Sequence, residues 1–219
     1  MTQKYLTRNN IILLICLLII ILFLPILSAH RILLRNVIFT AIVISGIFSL
    51  DFTKKTRGIL IAPGSVTIGL TWFRHFFVND LLSLAFFLSF FCFNLFITVF
   101  MVRHIARSKQ VTVTIIINSI NGYLLIGILG GLLLAMTQIF QKFIFQLDTG
   151  TINFAGRNAE GFHDYLYFSF VTLTTLGYGD ITPVSSFAKS ITILIAIIGQ
   201  LYLTILIAFL VGKFLSRPK

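Results

Sequence analysis

The sequence predicts an all-α integral membrane protein: six transmembrane helices, with a short re-entrant helix and a loop between the last two. Three observations lead there. Of 219 residues, 58% are hydrophobic and only 11% charged, against ~25% charged in a soluble domain. The apolar residues gather into separated runs near the ~20 residues that cross a bilayer. The cations behind the net charge of +11 lie in short loops between those runs. That placement argues for membrane topology and against a nucleic-acid partner.

Residues 11–27 form the first run, preceded by Lys4 and Arg8. A cleaved signal peptide is the competing reading, but the run exceeds the usual signal core of about 7–15 residues, so a span is expected. Residues 32–50 form the second, with Arg31 and Arg35 placed to snorkel to the interface. Residues 58–72, interrupted by Pro63-Gly64, are short and weak. A kinked span is favoured over an interfacial hairpin. Residues 81–102 are a strong, Phe-rich fourth run. The β-branched stretch 111–117 reads as an interfacial helix or a linker. The fifth run, 123–144, carries Gly127, Gly130 and Gly131 for close helix contact. Residues 146–161 are polar and loop-like. Residues 162–175 suit a helix too short to cross, tolerated at membrane depth only when buried in protein. Residues 187–215 are the last run. Two parts follow: residues 1–110 as a four-helix membrane region, and residues 111–219 as the part built around the short helix.

Six spans put both termini on one side. With that side cytoplasmic, eleven cations lie inside: Lys4, Arg8, Lys54, Lys55, Arg57, Arg103, Arg107, Lys109, Lys213, Arg217 and Lys219. Six lie outside: Arg31, Arg35, Arg74, Lys142, Arg157 and Lys189. The excess follows the positive-inside rule and implies a multi-pass cell-membrane protein with cytoplasmic termini.

The chemistry concentrates in Thr174-Thr175-Leu176-Gly177-Tyr178-Gly179-Asp180. This resembles the T-V-G-Y-G selectivity filter of potassium channels, with Leu176 where Val is commonest. The resemblance covers about residues 118–215. It implies a tetrameric pore, a homotetramer in the lipid bilayer, passing K⁺ down its gradient with no cofactor. Carbonyls of Thr175, Leu176, Gly177 and Tyr178, with the Thr175 hydroxyl, then replace the water of K⁺. Successive carbonyls can face one axis only if alternate residues adopt left-handed angles, which Gly177 and Gly179 permit. Tyr178 is expected to point away from the axis and brace the loop from behind.

The resemblance assigns further roles. Thr174 sits at the partially negative C-terminal end of the pore helix, which favours a cation. Asp180 lies at the outer mouth, where four copies attract cations. The Glu that supports this Asp in some relatives is matched here by Val171, which leaves Tyr167 as candidate partner. Ser185-Ser186 can cap the inner helix. Gly199 matches a gating hinge, with close helix packing as the equal alternative. Gln200, Leu203 and Ile207 match cavity-lining positions, and an amide at Gln200 is costly against lipid.

Six spans with a pore loop also resemble voltage-gated channels. Residues 81–102 contain no Arg or Lys, so no gating charge crosses the field, worth ~2.3 kcal/mol per charge per 100 mV. Only shallow voltage dependence is expected. Cys16 and Cys92 lie in apolar runs without metal-ligand or catalytic spacing. His30, His75, His104 and His163 fall in loops or at span ends, which argues against a membrane enzyme. A non-selective cation pore and a modulatory subunit remain the alternatives to a K⁺ channel.

Overall fold

The computed structural model describes residues 3–24, 32–49, 54–74, 76–77, 80–108, 110–145, 150–155 and 161–215. Lys4, Lys54, Lys55 and Lys142 fall in helices, but their side chains lie outside the described residues, as do Arg31, Lys109, Arg157, Arg217, Lys219, His30 and His75.

The order is α1 (Gln3–Phe23), α2 (Ile32–Phe48), α3 (Lys54–Phe73), α4 (Asp80–Arg107), α5 (Val113–Phe145), β1 (Ile152–Asn153), α6 (Phe162–Leu173), β2 (Thr182–Pro183) and α7 (Ser186–Leu215). Among the described residues, four segments are long and apolar enough to cross a bilayer: Tyr5–Phe23, Leu81–Arg107, Val113–Gln141 and Ser186–Leu215. α2 is apolar but has 17 residues. α3 has 20 residues, diluted by Lys, Thr, Ser and Gly.

Helices α1 to α4 pack in sequence, each on the next, and both α1 and α4 then pack on α5. α1 buries Leu13, Leu17 and Ile20, and Leu24 just after it continues the stripe, spaced three or four apart as one helix face requires. On α4, Phe90, Phe93, Ile97 and Met101 form the equivalent face. Phe39 of α2 meets Phe86 and Phe90 edge-on at 5.5 and 5.1 Å. α3 runs through Pro63 without a break. The lost backbone bond is offset by packing. Gly64 lets Val43 and Ile47 of α2 approach to 3.2 and 3.1 Å of where a Cβ would stand.

The stretch 111–117 is neither linker nor separate helix, because α5 starts at Val113 and runs 33 residues without interruption. Ile115 and Asn118 bury in register with Leu125, Ile128 and Leu132. The small helix penalty of β-branched residues, at most ~0.7 kcal/mol each, yields to that burial.

α5 also carries α6 and α7. A second apolar cluster sits there, with Leu134 and Ala135 of α5, Tyr165, Phe168 and Leu173 of α6, and Ala188, Ile191 and Ile195 of α7. The region expected as plain surface loop contributes structure: Ile152 pairs with Pro183 and Asn153 with Thr182 in an antiparallel ribbon. Ile152 and Phe154 bury into the second cluster.

Candidate functional site

α6 seats on the glycines of α5. A Cβ at Gly127 would stand 2.4 Å from the Phe170 ring, and one at Gly131 would stand 3.1 Å from the Leu166 backbone. The Ser169 hydroxyl donates to the Gly127 carbonyl at 2.7 Å. At the start of α6 the Gly161 N–H donates to Asp164 Oδ2 at 3.3 Å. This carboxylate also lies 3.6 Å from His163 Nε2 and suits the positive end of the helix.

The helix ends at Thr174, whose N–H donates to the Phe170 carbonyl at 2.9 Å. The Thr175 N–H then donates to Thr172 at 3.0 Å, and the Leu176 N–H to Val171 at 3.0 Å. This is the paired hydrogen-bond pattern of a helix stop whose key residue is left-handed, usually glycine. Here that residue is Thr175, with φ +58°. For a β-branched side chain the conformation costs of the order of 1–3 kcal/mol. Gly177 follows with φ +56° and Gly179 with φ +82°. Left-handed angles therefore alternate at 175, 177 and 179. The glycines were legible in the sequence; Thr175 was not, because its residue type argues against the angle.

Residues 174–180 are all exposed in the single chain. Tyr178 is 67% exposed, so within one chain it does not brace the loop from behind. Tyr167 does reach the loop, its hydroxyl donating to Asp180 Oδ2 at 2.7 Å. That carboxylate bond pushes the Tyr167 phenol up to about 12. Val171, at the position of the expected acid, contributes its carbonyl to Leu176 and Gly177 instead.

Beyond the loop, the Ser185 hydroxyl accepts the Ala188 N–H at 3.1 Å and caps α7. The Val184 and Ser185 N–H groups donate to the Thr151 carbonyl at 2.9 and 3.2 Å, which ties the ribbon to the exit of the loop. Gly199 is buried, and a Cβ there would stand 2.5 Å from the Leu173 carbonyl oxygen. Close packing on the end of α6 thus accounts for this glycine. Gln200, one residue on, is exposed and donates to the Thr175 hydroxyl at 3.5 Å. Leu203 is half-buried and Ile207 is 59% exposed. The structure therefore brings Thr174, Thr175, Gly199 and Gln200 to one end of α6, with Tyr167 and Asp180 beside it.

At the far end of α7 the sequence marks Lys213 only as a cation in an otherwise apolar stretch, 207–215, suited to a hydrophobic gate; its partners were not legible. Lys213 Nζ donates to the Ala106 carbonyl at 3.4 Å and to the Ser108 carbonyl, and it lies 3.6 Å from the Phe209 ring centroid. A cation on the last carbonyls of α4 is favoured by the helix dipole. Among the described residues no three His, Cys, Asp or Glu gather to hold a metal, and Cys16 and Cys92 are free thiols.

Residues 131–216 match the family described as "Ion channel". A 63-residue segment is 41% identical to two-pore potassium channel 4 of Arabidopsis thaliana, covering 29% of this chain and 22% of that protein. No solved structure matches the chain. The matched span takes in the short helix, the loop and α7, and with the apolar spans it supports a multi-pass membrane protein carrying an ion channel domain. The plant relative narrows the class, and the two matches together support the potassium channel family.

Proposed function

We propose that this chain is one subunit of a homotetrameric, K⁺-selective channel of the cell membrane. One observation supports the reading above the others. An exposed loop at the end of a short helix alternates left-handed residues at 175, 177 and 179. That alternation is what a ladder of carbonyls on one side of a strand requires. In the assembly, the carbonyls of Thr175, Leu176, Gly177 and Tyr178 and the Thr175 hydroxyl take the place of water around K⁺. One chain supplies one ladder, and a ring needs four. Tyr178, unbraced in its own chain, packs against a neighbouring subunit.

Asp180, held by Tyr167, adds negative charge at the outer mouth. Thr174, at the end of α6, and Gln200 face the cavity below. Leu203 and Ile207 line the cavity toward a hydrophobic constriction near the cytoplasm. α1 to α4, with residues 1–110, cross the membrane as four spans, and residues 111–219 form the pore domain with α6 re-entrant and both termini cytoplasmic. With no cation inside residues 81–102, opening depends only weakly on voltage.

The test is reconstitution in liposomes with K⁺ and Na⁺ flux measured side by side. K⁺ flux in clear excess supports the reading. Equal fluxes make the chain a non-selective cation pore, and no flux of either ion makes it a modulatory subunit.

A further inference from the structure

Five polar side chains are buried on α5 and on the two helices, α1 and α4, that both pack on it. Asn10, Asn94, Asn118 and Asn121 are each 0% exposed and Thr98 is 6% exposed. Asn121 Nδ2 donates to the Asn10 carbonyl at 3.0 Å, which fixes α1 to α5 at this level. Two turns toward the N-terminus of α5, the hydroxyls of Thr7 and Thr114 lie 2.6 Å apart. Asn118 stands one turn from Asn121 on the same helix.

Asn94 and Thr98 come from α4. Ser89 meets Thr67 of α3 at 2.8 Å, so that side of α4 faces α3. Asn94, five residues on, stands ~140° further round the helix, and Thr98 lies one turn beyond it. Both are buried, away from the Ser89 side, and α4 packs on α5 as well as on α3. Thr98 lies ten residues before Ser108 and Asn121 nine after Thr112, the limits of the turn joining the two helices. Antiparallel packing therefore sets them level.

Seven polar atoms here lack a partner among the described residues: Asn10 Nδ2 and Oδ1, Asn94 Oδ1, Thr98 Oγ1, Asn118 Nδ2 and Oδ1, and Asn121 Oδ1. Such atoms are rarely left orphaned in a folded protein. The set has two amide donors, four amide acceptors and one hydroxyl that does either. None of the five is ionisable, and the inward amide N–H₂ groups oppose a cation.

We infer that this junction is a binding site for internal water. Water both donates and accepts, and a buried molecule typically makes ~3 hydrogen bonds. Two or three molecules of that capacity satisfy the seven atoms. Water also re-bonds whichever rotamer the amides take, so the seam joining α1 and α4 to α5 stays polar and adaptable. The inference does not depend on ion selectivity.

X-ray footprinting tests it, because irradiation makes hydroxyl radicals from bound water in place. Met101, one turn from Thr98, is 0% exposed. With the full chain in lipid nanodiscs, Met101 should be oxidised under X-rays but not by radicals generated in the bulk. That comparison needs no variant. In Asn94→Leu/Asn118→Leu, X-ray oxidation of Met101 should fall at least fivefold, while that of Met136 on the far part of α5 stays unchanged. Met101 untouched by X-rays in the unmodified protein, or oxidised equally by bulk radicals, would overturn the proposal.

Discussion

α5 and α7 are near twins in length and apolarity, with 33 and 30 residues, yet their surroundings differ. Within the chain, 61% of the spanning window of α5 is buried and only 11% of that of α7. α5 carries Gly127, Gly130 and Gly131 where α6 settles and the polar seam where α1 and α4 meet it. α7 keeps Gly199 for one close approach to Leu173 and leaves Ile193, Ile197, Leu201 and Ile205 exposed. Hydrophobicity alone does not say which helix is internal to a subunit. Small residues mark the internal contacts, and an exposed amide, Gln200, marks a face unsuited to lipid. In our reading α5 organises one subunit, and α7 is finished by its neighbours.

The largest expected effect breaks the unfinished side. Gly177→Ala forces a Cβ into a left-handed angle, about 1–2 kcal/mol in each chain. K⁺ selectivity in the reconstituted channel should be lost, and normal K⁺ over Na⁺ selectivity in this variant would remove the filter assignment. On the finished side, Gly127→Leu drives a side chain into the Phe170 ring. Overpacking of about 1–3 kcal/mol per subunit should lower the thermal midpoint and the yield of assembled protein. Gly212→Ala, with open space at its Cβ, should leave both unchanged or raised. Equal damage from the two would erase the contrast between α5 and α7.

Tyr167→Phe deletes the bond to Asp180 on a side chain 40% exposed. The loss should be about 1 kcal/mol per subunit, below the range for fully buried bonds to charged groups. K⁺ conductance should run down faster, and an unchanged time course would make the bond incidental. Gln200→Leu should shift block by large quaternary ammonium ions severalfold if α7 turns this face to the cavity. An unchanged block places Gln200 at a packing contact. The smallest effect is that of voltage: the conductance–voltage curve should be shallow, and a steep one would require gating charge outside residues 81–102.

Much of this was legible beforehand, for identifiable reasons. The apolar runs located the helices because a bilayer demands length and apolarity together, and Tyr167 followed from the missing acid at Val171. The start of α5 was misread because local β-branching was weighed without the burial that overrides it. The pairing of Ile152–Asn153 with Thr182–Pro183 was invisible because two-residue strands leave no periodicity. Thr175 was hidden by residue type. Asn94 passed unremarked because it is a single polar residue in an apolar run, and Asn10, Asn118 and Asn121 because they sit among polar neighbours at the start of their helices. Only the fold shows that all four are buried, on α5 and the two helices packed on it.

The central claim is that four exposed loops, alternating at 175, 177 and 179, strip water from K⁺ with their own backbone. The most direct measurement is the anomalous scattering of Tl⁺, a K⁺ surrogate, in crystals of the assembled protein. The account predicts a row of peaks on a four-fold axis, each within coordination distance of carbonyls between Thr175 and Tyr178. Ordered loops around that axis with no peaks between them, or loops of separate subunits far from any common axis, would contradict it.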